Sequence, residues 1–98
     1  MKTTCKSFTF TRHAVAQMFD REISISDVKS VIRTGEAIQS YPSDKPYPSY
    51  LMLGYVNIRP IHVVIALNHQ SGECIIVTAY EPSPGLWTSD FKKKLNGG

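Results

Sequence analysis

Several signatures that would name a chemistry outright are missing from this chain. Its two cysteines, Cys5 and Cys74, lie far apart, form no C-x-x-C pair and have no histidine at ligand spacing. Neither a zinc site nor a redox motif is therefore indicated, and Cys74, set in an apolar run, reads as a small buried hydrophobe. No apolar stretch approaches the ~18 residues of a spanning helix, and the start lacks the charged, apolar and cleavage regions of a leader, so a cytoplasmic protein without membrane contact is expected. There is no Walker loop, G-x-G-x-x-G, H-E-x-x-H or G-x-S-x-G, and hence no expectation of a cofactor or metal. Repeats and low-complexity tracts are also lacking.

What is there suits one small folded domain. The 98 residues are 42% hydrophobic and 19% charged, ordinary globular proportions that leave room for a single core. The domain is expected over residues 8 to 95, with flexible ends at 1 to 7 and 96 to 98. A net charge of +3 suits an anionic partner without requiring one. Part of it is the run Lys92-Lys93-Lys94, readable as a solvated end or as a phosphate contact.

The chain is organised around Arg59 to Pro82, two runs rich in β-branched residues joined by a polar link containing Ser71-Gly72. That pattern predicts a central hairpin, with strands near 60 to 67 and 73 to 80. Before it, Thr11 can cap a helix near 12 to 21, with Val15, Met18 and Phe19 as its buried stripe. Ser24 with Asp27 resembles a capping box for a helix near 25 to 34, whose inner face is Ile25, Val28, Val31 and Ile32. At Gly35 the apolar period changes to that of strands, near 37 to 41 and 50 to 56, separated by a loop holding Pro42, Pro46 and Pro48. Phe8-Thr9-Phe10 reads as a short edge strand or an anchor on the core. The fold class expected is α+β, two N-terminal helices on a four-stranded, mainly antiparallel sheet.

Few residues in this frame can carry chemistry. His62 interrupts an apolar strand, and imidazole is the side chain best matched to proton transfer at neutral pH; a hydrogen-bonded structural histidine fits the same position. His13, near the start of the first helix, reads as a general base or as a surface histidine. Arg21 and Arg59 are guanidinium candidates for phosphate, Arg21 serving equally as a helix-end cap. Tyr80 reads as a proton donor, a stacking surface or a core tyrosine, and Trp87 as a core lid or a base-stacking platform. If Asn68 pairs with Cys74, His62 lies opposite Tyr80; a slip that pairs Leu67 with Cys74 sets His62 opposite Ala79, on the other face from Tyr80. A shared face, with Arg21 or His13 joining one open pocket, is the arrangement proton-transfer chemistry would require.

Through His13-Ala14, Met18, Arg21, Ile23-Ser24, Asp27-Val28, Gly35-Glu36, Tyr41-Pro42, Pro60-Ile61-His62-Val63-Val64, Val77-Thr78-Ala79-Tyr80-Glu81-Pro82, Trp87 and Phe91-Lys92, the chain resembles a bacterial family of unknown function. That family is similar to RelE- and BrnT-type ribonuclease toxins, often paired with zinc-ribbon antitoxins of the MqsA kind. This chain has Gln17 where many relatives carry Arg, and Glu22 where they carry Gly. The resemblance implies a metal-independent endoribonuclease that cleaves RNA by 2′-OH attack. It points to His13, His62 and Tyr80 as catalytic candidates and to Arg21 for substrate, with RNA and a cognate antitoxin protein as partners; the residue reading adds Arg59 and Trp87 as substrate-binding candidates. The alternative is a non-catalytic protein-binding module of the same fold, its histidines structural. The oligomeric state is open.

Overall fold

The computed structural model describes residues 4–95, and the ends at 1–3 and 96–98 lie outside the described residues. Strand β1 (Ser7–Phe10) leads into helices α1 (Arg12–Asp20) and α2 (Ile25–Thr34). Strands β2 (Glu36–Tyr41), β3 (Ser49–Val56), β4 (Arg59–Asn68) and β5 (Glu73–Tyr80) follow. The sheet runs β1-β5-β4-β3-β2, with β1 parallel to β5 and the other pairs antiparallel. This corrects the expected four-stranded, mainly antiparallel sheet. The strand over Phe8-Thr9-Phe10 joins the edge of β5, which makes five strands and a mixed sheet.

Both helices start where capping chemistry places them. The Thr11 hydroxyl accepts the Ala14 N–H, and Ser24 and Asp27 form both halves of a capping box. α1 packs on β5, and α2 on β3 and β4, so one sheet face lies under helices. The core between the layers includes Val28, Val31 and Ile32 of α2, with Ile61, Val63, Ile65 and Ile76 of the sheet. Gly54 lets α2 approach closely, since a Cβ there would meet the Val31 backbone at 3.0 Å.

The inner face of α1 is not the expected one. Ala14 and Met18, at i and i+4, are buried, whereas Val15 and Phe19, each about 100° further round the helix, stay exposed; Ile25 is exposed too. Just before β1, Cys5 and Lys6 are both tied to the sheet. Cys5 is disulfide-bonded to Cys74, and the Lys6 N–H donates to the Gly72 carbonyl. Cys74 is therefore half of a disulfide and not a lone buried thiol.

Candidate functional site

The sheet face away from the helices carries Leu51, Leu53, His62 and Tyr80, and residues 82–95 fold back over part of it. That strap is a small looped hairpin, bridged between Trp87 and Lys94. The Thr88 N–H donates to the Lys93 carbonyl and the Leu95 N–H to that of Leu86, and the Thr88 hydroxyl donates to Asp90 at 2.6 Å. Trp87 is thereby buried against the sheet, while the three lysines after Phe91 remain outside.

His62 and Tyr80 are cross-strand partners on this face. Both registers weighed above occur in the one hairpin. Leu67 pairs with Cys74 near the turn and His62 with Tyr80 at the far end, because a bulge between Val64 and Ile65 leaves Val77 unpaired and shifts the register by one residue.

His62 has 0% of its surface exposed. Its Nε2 lies 2.9 Å from the Phe91 carbonyl oxygen, and its Nδ1 lies 3.2 Å from the Tyr80 hydroxyl. A carbonyl only accepts, so Nε2 carries the proton and Nδ1 accepts from Tyr80: a neutral imidazole with both nitrogens engaged. Trp87 stands edge-on to the imidazole, ring centroids 4.4 Å apart. Phe91 adopts φ 61, the left-handed region, at the residue whose carbonyl meets His62. Burial lowers the His62 pKa, opposed by the hydrogen bond to Phe91, and burial raises that of Tyr80. In this arrangement the pair fastens the strap to the sheet.

The other candidates lie elsewhere. His13 and Arg21 are exposed and belong to α1 and its C-terminal end, on the opposite side of the sheet, so they do not join His62 and Tyr80 in one pocket. Arg59 is spent on structure. Its guanidinium bonds Glu81 at 2.7 Å and the Glu22 carbonyl at 2.8 Å, and it also holds the Arg21 carbonyl, which satisfies the end of α1. Glu22 has φ 56, a conformation that favours glycine. Glu22→Gly is therefore expected to raise stability by roughly 0.5–1 kcal/mol, and Arg59→Ala to lower it by about 1–2 kcal/mol; thermal unfolding of the two variants measures both.

Beside the strap runs a groove of about 510 Å³ lined by Gln39, Tyr41, Leu51, Trp87 and the three lysines 92–94. Lys92 is paired with Glu36 at 2.9 Å, whereas Lys93 and Lys94 make no side-chain ion pair among the described residues. Tyr41 is 40% exposed at the groove wall. Of the residues singled out in the sequence, Trp87 and the lysine run 92–94 line this groove. Tyr41 and Gln39 were missed because nothing in a six-residue edge strand distinguishes residues facing a groove from solvated ones. The described residues contain no group of three or more His, Cys, Asp or Glu that could hold a metal.

Residues 10–81 match the family described as Domain of unknown function (DUF4258). The chain belongs to that family. No curated protein and no solved structure matches it. The matched stretch of this DUF4258 member ends at Glu81, so it contains His62 and Tyr80 but not the strap that covers them. No helix among the described residues is long and apolar enough to cross a membrane.

Proposed function

We propose that the protein binds single-stranded RNA along the groove between β2 and the strap. The observation that carries this reading is the convergence of two unpaired lysines with an exposed tyrosine on one open channel. Lysines track a phosphate backbone while an aromatic ring stacks a base, a combination that binds single strands without needing their sequence. The net charge of +3 acts in the same direction.

The stronger form of the proposal is a metal-independent endoribonuclease, a toxin related to the RelE and BrnT types and covered by a cognate antitoxin of the zinc-ribbon kind. Cleavage by 2′-OH attack requires a base within reach of the sugar. The buried, doubly bonded His62 offers none while the strap is closed, and His13 and Arg21 stand on the other side of the sheet. Binding without cleavage, by a domain whose histidine is structural, is the form the geometry favours. A cytoplasmic site of action accompanies it. There the Cys5–Cys74 bond meets a reducing pool, so the pair recovered as thiols from cell extracts supports that location and an intact bond speaks for an oxidising compartment.

Fluorescence anisotropy of a labelled single-stranded RNA tests the binding. Lys93→Glu with Lys94→Glu is expected to weaken it at least about tenfold and to flatten the slope of log affinity against log salt by about 1.4. RNA that does not bind the wild type, or binds the double variant equally well, sinks the reading. Incubating the wild type with total RNA in EDTA separates the two forms: new ends bearing 2′,3′-cyclic phosphate establish the nuclease, and uncut RNA leaves the binding domain.

A further inference from the structure

Helix α1 carries a second apolar stripe that no part of the described chain covers. Val15 and Phe19, 50% and 83% exposed, stand one turn apart on its outer side, with Ala16 between them. With Phe10 of β1 they line a shallow recess of about 590 Å³, whose two remaining walls are Arg12 and Asp20. A phenylalanine this exposed beside a valine is surface that a monomer gains nothing by presenting to water.

The charges at the ends of the stripe indicate what covers it. Arg12 opens the helix and Asp20 closes it, and neither has an ion pair or side-chain hydrogen bond among the described residues. Ala16 is the midpoint of that span, about 12 Å along the axis at the helical rise. We propose that this face is the contact of a two-fold symmetric homodimer, in which α1 packs antiparallel on α1 of a second copy about an axis beside Ala16. In a two-fold contact, if one residue of the first copy touches a second residue of the other, the same two touch again with the copies exchanged. Arg12 of each copy then meets Asp20 of the other at both ends, while Val15 and Phe19 close over each other in the middle and the small Ala16 lets the helices approach. A parallel pairing would bring Arg12 to Arg12 and Asp20 to Asp20, so the charge order selects the antiparallel one.

Sedimentation equilibrium across a concentration series tests the proposal. The wild type is expected to move from the 11.0 kDa chain toward twice that mass as concentration rises. Arg12→Asp and Asp20→Arg each place like charges at both ends, and each alone should weaken self-association at least about tenfold. Mixing the two variants restores opposite charges at both ends of a heterodimer, so the mixture should regain dimer mass that neither component shows alone. Phe19→Ser should be monomeric with unchanged circular dichroism, since that side chain is outside the core. A wild type monomeric at every concentration overturns the proposal. So do charge variants that dimerise like the wild type, as association through the free edge of β1 would predict, and so does growth beyond the dimer.

Discussion

Alanine at position 62 is expected to release the strap from the sheet and to lower stability by about 3–5 kcal/mol. The substitution removes a fully buried ring and leaves a cavity under Trp87. It also strips the partners from two polar groups at once, the Phe91 carbonyl and the Tyr80 hydroxyl. For a chain of this size the unfolding midpoint should fall by roughly 15–30 °C. Trp87 is the sole tryptophan, so its emission should move to the red as the strap lifts. His62→Phe, which fills the volume without the hydrogen bonds, should fall between the two. A midpoint unchanged by His62→Ala, with Trp87 emission unaltered, would show that the strap is held by other contacts.

The same site sets a pH dependence whose sign follows from burial. Because the folded protein holds His62 below its ordinary pKa of 6.5, the unfolded chain binds more protons as pH falls through that value. The stability due to the neutral ring is present in full above about pH 6.5 and is lost progressively below it, down to the folded pKa. Tyr80 acts at the other end of the scale. Its raised pKa makes stability fall as pH climbs past 10.0, where the unfolded phenol ionises first. Urea unfolding between pH 7 and 5 should show the first loss in the wild type and a smaller one in His62→Phe.

Both helices and the strands β2 to β5 were legible within a residue or two because capping residues and a change of apolar period are local signals. Ser24, Asp27 and Gly35 mark boundaries that the backbone obeys. The inner face of α1 was not legible, since a stripe chosen by hydrophobicity prefers Val15 and Phe19 to Ala14, and only the close approach to β5 makes the smaller residue the inner one. His62 and Tyr80 could be set on one face only as one of two registers. The bulge at Val77 that lets both registers coexist is a property of the backbone and leaves no mark in residue types. The partner of His62 Nε2 was hidden for a similar reason, being a main-chain carbonyl aimed by a left-handed Phe91. Of the groove's lining, Trp87 and the lysine run are the parts that residue types alone make visible.

Reduction of the Cys5–Cys74 bond is expected to cost about 2–4 kcal/mol of stability. The bond joins residues 69 apart in sequence, a separation that by itself suggests no pairing. What brings them together is the parallel alignment of β1 with β5, which sets the residues just before β1 beside the start of β5. Cross-linking so long a loop removes much of the freedom of the unfolded chain, and it fastens β1, the four-residue edge strand, to the sheet. Dithiothreitol should therefore lower the unfolding midpoint by roughly 10–25 °C, and amide exchange in Phe8 to Phe10 should quicken before that in β4. The variant Cys5→Ser should start from the lower midpoint and respond no further to the reductant. If the wild type and Cys5→Ser unfold at the same temperature with and without dithiothreitol, the bond contributes nothing, and β1 is held by its ladder to β5 alone.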